Sequence, residues 1–273
     1  VAYWPLSGTL GMVAWSPQTI AATYTLDGKN LSIPFAAAGT EANPVDLMYS
    51  TPLTGLTKDR HNSVNYTGVD GGGRGVGITF NHALSQIVVT AKVADEYTGA
   101  TFTINSISLQ GMNDNATLTV TESGNQVASW GAASNNATSF AILSETSDAL
   151  TTDAASVGKP VLVIPQELRE KTSQQSTQQL KITYSMTVDP GTPNVATDDV
   201  TTSTTKYVDL NSGTNDALTA LAMGKKYTLN LTLYADRILY SPSVSDWVSQ
   251  YDSNSDGTPD KNYGSDYDVP EQD

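Results

Sequence analysis

The chain has 273 residues, no cysteine and two histidines, and its 14 Lys and Arg against 28 Asp and Glu leave a net charge of −14. That balance excludes the clustered cationic stripe that nucleic acid requires and disfavours anionic membrane surfaces. The missing cysteine excludes disulfides, iron–sulfur clusters, thiolate zinc sites and a thiol nucleophile.

No stretch approaches the roughly 20 apolar residues of a membrane helix. The opening Val1-Ala2-Tyr3-Trp4-Pro5 lacks the basic and apolar regions of a signal peptide, so the chain reads as processed, with a segment upstream of Val1. Short runs of Val, Ile, Thr and Tyr between Gly, Asn, Asp, Pro and Ser clusters then predict an all-β fold of sandwich type. In chain order the predicted strands are Gly11–Ser16, Ile20–Leu26, Leu31–Ala36, Gly77–Asn81, Ser85–Val93, Thr101–Leu109, Ala116–Thr121, Pro160–Ile164, Leu180–Val188, Thr202–Asp209, Lys226–Tyr234 and Arg237–Tyr240. Their period is two: Tyr227, Leu229, Leu231 and Leu233 share one face, and Thr228, Asn230 and Thr232 the other. The one helical signal is Asp216–Met223, with Asp216 or Asn215 as cap and Gly224 as stop. The composition predicts an N-terminal β-domain over 1–94, a second over 95–247, and a tail over 248–273 with seven acids against Lys261.

Six motifs, in order and at matching spacing, make the chain resemble the fimbrillin family, the Mfa-like and FimA-like pilin subunits of Bacteroides-type pili. They are Tyr3-Trp4-Pro5 followed by Leu10–Pro17, Asp46-Leu47-Met48-Tyr49-Ser50, Ile78–Ile87 with Phe80-Asn81-His82-Ala83-Leu84-Ser85 at its centre, Val161–Gln166, Gly224–Thr228, and Ser243–Trp247. The resemblance implies two tandem transthyretin-like, Greek-key β-sandwich domains. It implies a structural subunit of a surface fimbria rather than an enzyme, with other pilin subunits as partners. It further implies export as a lipoprotein, anchored to the outer membrane through a lipidated cysteine far upstream. Maturation would cleave after a basic residue and remove an N-terminal strand, and the groove left behind would take a strand from the next subunit. The expected acceptor walls are Ser85–Val93 and Ile20–Leu26, and Ser243–Val248 is a candidate donor. The other reading is a tip or accessory adhesin, or a surface lipoprotein, that binds a glycan or a host protein.

The sharpest ligand motif lies in the tail. Asp252-Ser253-Asn254-Ser255-Asp256-Gly257-Thr258-Pro259-Asp260 places oxygen donors at alternate positions and Gly at the sixth, as a calcium loop does. Asp252, Asn254, Asp256 and Asp260 are therefore candidate calcium ligands. Tyr263 stands where an EF-hand has Glu, and a solvated acidic tail is the alternative. No cofactor is required by any motif. Gly71-Gly72-Gly73-Arg74-Gly75 lacks the Lys-Ser/Thr of a phosphate loop and reads as a connection with a protease-sensitive Arg74. His82 reads as a structural histidine at a strand end, and His61 as exposed. No Gly-x-Ser-x-Gly elbow exists to pair with either, and the acids form no framed pair, so no catalytic residue is assigned. The four tryptophans are spread along the chain and read as core residues.

Overall fold

The computed structural model describes residues 7–26, 29–37, 44–57, 76, 78–94, 99–122, 127–133, 138–171, 178–189, 198–213 and 217–247. These residues form strands and no helix. The N-terminal strands are β1 (Leu10–Met12), β2 (Trp15–Ser16), β3 (Thr23–Thr25), β4 (Asn30–Ala36), β5 (Met48–Ser50), β6 (Leu53–Leu56), β7 (Phe80–His82) and β8 (Ser85–Val93). The next six are β9 (Ala100–Met112), β10 (Asn115–Thr121), β11 (Ala128–Trp130), β12 (Thr138–Leu143), β13 (Ala155–Val163) and β14 (Gln166–Glu167). Last come β15 (Gln179–Val188), β16 (Val200–Asp209), β17 (Ala220–Leu221), β18 (Lys225–Leu233) and β19 (Ile238–Asp246).

Two four-stranded sheets build the larger β-sandwich, in the orders β12-β9-β15-β16 and β13-β8-β18-β19. Strict alternation drives their pairing. β8 buries Ser85, Ile87, Val89, Ala91 and Val93, and β18 buries Tyr227, Leu229, Leu231 and Leu233. Facing them, β9 contributes Phe102, Ile104, Ile107 and Leu109, and β15 contributes Leu180, Ile182 and Tyr184. Each fully buried aliphatic side chain is worth roughly 1.5–3 kcal/mol, so this apolar interior is the main source of stability. The opposite faces are polar, and Thr90 Oγ1 donates to Asn230 Oδ1 at 2.8 Å between β8 and β18.

β8 and β18 run parallel, in register from Lys226 opposite Gln86 to Leu233 opposite Val93. Every other strand pair among the described residues is antiparallel. β8 is also paired with β13 on its other side. It is thus an interior strand, and the expectation that Ser85–Val93 walls an open groove is corrected: its backbone groups are taken on both edges.

One smaller sheet joins strands from either side of residue 94. β10 pairs with β4 over Asn115–Thr121, giving the order β11-β10-β4-β3. Leu31, Ile33 and Phe35 of β4 and Leu118 and Val120 of β10 are buried, and they join the same hydrophobic cluster as the sandwich interior. A three-stranded sheet β2-β5-β7 and the pairs β1-β6 and β14-β17 are the remaining sheets among the described residues.

The helix expected over Asp216–Met223 does not form among its described residues. The Thr219 carbonyl instead accepts from Leu168 N, the Ala222 amide donates to Tyr227 Oη at 2.7 Å, and Ala220–Leu221 pair with Gln166–Glu167. Leu218 and Leu221 are buried. Burying them against the sandwich outweighs a helix too short to be stable alone.

Candidate functional site

His82, Ala83, Leu84 and Ser85 form the junction between the N-terminal strands and the sandwich. β7 ends at His82 and β8 begins at Ser85, so every backbone group between them must find a partner outside a ladder. The Ala83 amide donates to Leu47 O at 2.8 Å, and its carbonyl accepts from Trp130 Nε1 at 2.7 Å. The Leu84 carbonyl accepts from Gly224 N at 3.0 Å, and Ser85 Oγ donates to Ala222 O at 2.8 Å. Ala83, Leu84 and Ser85 are fully buried.

The imidazole of His82 completes this junction. Its Nδ1 lies 2.9 Å from Asp46 Oδ2, and its ring stacks on Trp247 with centroids 3.8 Å apart and planes within 10°. The Trp247 amide donates to Gly224 O at 2.9 Å. Asp46 comes from the segment before β5, His82 from β7, and Trp247 from the residue after β19. The motifs around residues 46, 82, 224 and 247, far apart in sequence, therefore meet at one place. The arrangement clasps strands together. The Asp46 carboxylate lies beside the ring's Nδ1 without an aligned hydrogen bond to it, and the indole covers one of its faces.

A second cluster sits near the N-terminal edges. Tyr24 Oη hydrogen-bonds Glu122 Oε1, and Lys29 Nζ lies 3.9 Å from Glu122 Oε2. The hydrogen bond to Glu122 raises the Tyr24 phenol above its ordinary value. Gly11 of β1 abuts the same carboxylate, since a Cβ there would come within 3.3 Å of Glu122 Oε1. Around this carboxylate β3 forms the outer edge of its sheet, with all three residues exposed, and Leu26 just beyond is 80% exposed. Leu10, Met12 and Tyr24 are exposed as well.

A cavity of about 420 Å³ opens between β11 and β14, lined by Asn113, Trp130, Gln166, Glu167 and Leu221 among others. Its amide and indole groups are engaged within the chain. The Gln166 side chain accepts from Asn113 N and donates to Asn113 O and Ile164 O, and the Trp130 N–H is taken by Ala83 O.

Asp252, Asn254, Asp256 and Asp260 lie outside the described residues, as do His61 and Arg74. Among the described residues, no three His, Asp or Glu side chains are grouped to hold a metal ion. Trp130, expected in the core, is half-buried against it and meets Phe35 edge-on at 6.1 Å. The meeting of Asp46, His82 and Trp247 escapes sequence reasoning because they are 36 and 165 residues apart, although each stands in one of the motifs that carry the resemblance.

The geometry defines an all-β sandwich protein whose polar groups mainly join strands. The chain belongs to the fimbrillin-like family, whose model matches residues 1–247. Its fold is similar to that of a fimbrial protein from Bacteroides vulgatus ATCC 8482, at 17% identity and a TM-score of 0.63, over 90% of this chain and 80% of that one. It is also similar to a structure described as a "putative cell adhesion protein" from Bacteroides uniformis ATCC 8492, at 17% identity and a TM-score of 0.50, over 90% of this chain and 77% of that one. No curated protein matches the chain.

Proposed function

We propose that the chain is a structural subunit of a cell-surface fimbria that joins other pilin subunits by β-strand exchange and supports adhesion. Family membership supports the subunit role. The observation that supports strand exchange is an open sheet edge among the described N-terminal residues. The sheet β11-β10-β4-β3 ends on a short, wholly exposed strand, and beside it Leu10, Met12, Tyr24 and Leu26 remain exposed. An edge of unpaired amides and carbonyls beside apolar side chains is what an incoming strand pairs with. Of the two acceptor walls expected from sequence, this reading keeps the segment around β3 and discards β8. Burying about five donor side chains there gains roughly 8–15 kcal/mol, against roughly 1–2 kcal/mol per residue to order the donor.

One observation favours the second reading, a tip or accessory adhesin. Ser243–Asp246 are already paired with β18 as part of β19. The following stretch 248–273 has no apolar alternation to fill a groove. The two readings separate on the full-length precursor, followed by mass spectrometry and light scattering before and after trypsin-like digestion. A polymerising pilin loses an N-terminal piece and converts from monomer to ladder. A persistent monomer overturns strand exchange and leaves the adhesin.

Calcium at Asp252, Asn254, Asp256 and Asp260 is a separate part of this reading. Titration calorimetry should show calcium-dependent heat in the wild type and its loss in Asp256→Ala. Silence in both discards the site. At millimolar calcium and a Kd of about 10⁻⁴–10⁻³ M the gain is only ~0.4–1.4 kcal/mol, enough to order a tail but not to hold the fold.

A further inference from the structure

The cavity between β11 and β14 is lined by groups that the fold holds in place. The Trp130 N–H is engaged by Ala83 O at 2.7 Å, and Phe35 meets the indole edge-on. The Gln166 amide is fixed by three hydrogen bonds, to both backbone groups of Asn113 and to Ile164 O. Leu221 is buried, and its strand is tied to β14 by the pairing of Ala220–Leu221 with Gln166–Glu167. Because the one polar atom of the indole is taken elsewhere, Trp130 offers only carbon to the cavity. Pro165 and Leu221 extend that apolar wall. The volume of about 420 Å³ falls in the roughly 300–1,000 Å³ range of small-molecule sites, which are mostly apolar, pre-formed and furnished with a few polar groups.

Two polar side chains in the same lining have no task within the fold. Asn113 holds Gln166 through its backbone alone, and its side-chain amide has no hydrogen-bond partner among the described residues. The Glu167 carboxylate has neither a hydrogen-bond nor an ion-pair partner among them. Their chemistry selects the ligand. No described Lys, Arg or His lines the cavity, and the whole chain carries a net charge of −14. A phosphate, sulfate or carboxylate would therefore meet acid with no cation to pair it. A simple cation suits Glu167 but gives the Asn113 amide N–H groups nothing to donate to. A neutral polyol with one apolar face satisfies every group: its carbon face packs on the indole, and its hydroxyls, which both donate and accept, reach Asn113 and Glu167.

We propose that this cavity is a sugar-binding site that takes one neutral pyranose unit of a glycan. Trp130 supplies the stacking surface, Asn113 and Glu167 the hydrogen bonds that fix the ring's orientation, and Gln166 the strut that positions Asn113. The assignment rests on the adhesin reading above, in its glycan-binding form, and gives that reading a place on the molecule. It lies apart from the β3 edge, so a subunit can join its neighbours with the site still open. A bound sugar would touch β11, which belongs to the sheet β11-β10-β4-β3, and β14, which belongs to the pair β14-β17.

Saturation-transfer NMR on the intact chain tests the proposal. The probes are the methyl glycosides of galactose, glucose, mannose, fucose and N-acetylglucosamine, with N-acetylneuraminic acid and tetramethylammonium as charged controls. The expected result is transfer to at least one neutral glycoside, strongest at the ring C–H protons of one face. Glu167→Ala and Asn113→Ala should each weaken that binding by roughly tenfold. Ala132→Trp, which fills the cavity from its exposed lining, should abolish it. None of the three side chains is buried, so all three variants should keep the wild-type Tm. No transfer to any neutral glycoside, transfer to a charged control alone, or sugar binding that survives Ala132→Trp would each overturn the site. A glycan array separates that failure from failure of the adhesin reading. Array binding lost in Ala132→Trp supports the site; array binding unchanged in Ala132→Trp discards the cavity and keeps the adhesin; an array that captures nothing discards the cavity and the glycan-binding form of that reading together.

Discussion

The side chains with the clearest thermodynamic signature are those whose polar groups are buried or whose backbone is constrained. Tyr240 Oη is buried and has no hydrogen-bond partner among the described residues, and burial pushes its phenol above the ordinary value near 10. A buried hydroxyl left unpaired costs about 1–3 kcal/mol, so Tyr240→Phe should leave Tm unchanged or raise it by a few degrees; a clear fall would show that the hydroxyl has a partner. Burial shifts Tyr49 in the same direction. A raised folded-state pKa means that the folded chain keeps these protons when the unfolded chain releases them. The stability they support is complete below about pH 10 and falls as pH rises through the folded-state values. Urea titrations between neutral pH and about pH 11 should therefore show a shallower alkaline decline in Tyr240→Phe than in the wild type. Gly158 is constrained differently. At φ +74° its Cβ position lies 2.1 Å from the Ile142 carbonyl oxygen, at the bulge between β13 and β8. Gly158→Ala should cost roughly 3 kcal/mol or more by denaturant unfolding. At the clasp, His82→Phe preserves a ring over Trp247 and Trp247→Ala removes it. The second should cost roughly 1–3 kcal/mol and the first less; the reverse order would make the Asp46 contact the stronger element.

At the level of strands, what could be read from the residues was whatever repeats with period two over seven or more residues. β4, β8, β9, β10, β15 and β18 all emerge from alternation, because each has one buried and one solvated face, whereas β16, with no buried residue, shows itself through its Thr-rich run. β19 was foreseen only at its start, since the exposed Ser241–Asp246 half offers no apolar period. β5, β6, β11, β14 and β17 are two to four residues long, too short for a period to declare itself. Their place is set by partners distant in sequence, as with Ala220–Leu221 against Gln166–Glu167. The Asp216–Met223 misreading has the same origin, because a local helix signal competes with tertiary contacts it does not contain. Interior and edge strands should also differ in tolerance. Leu229→Ala on β18 should cost about 2–5 kcal/mol, whereas Thr205→Ala on the exposed face of β16 should stay within about 0.5 kcal/mol. Comparable losses at both sites would contradict the assignment of β16 as a sheet edge.

Across the whole molecule, four of the six motifs that suggested the family meet at the junction at His82–Ser85, and each could be noticed in sequence although their meeting could not. Pairing between β8 and β18 also has a temporal consequence. The two strands are separated by 140 residues, from Gln86 to Lys226, and parallel contacts at that separation close a large loop before they stabilise anything. Synthesised or exported from its N-terminus, the chain completes β8 long before β18 exists. During that interval the strand holds Ile87, Val89 and Ala91 without one of its two neighbours. The nascent chain therefore passes through a stage in which this apolar strand is itself an open edge, and the late arrival of β18 ends that vulnerability.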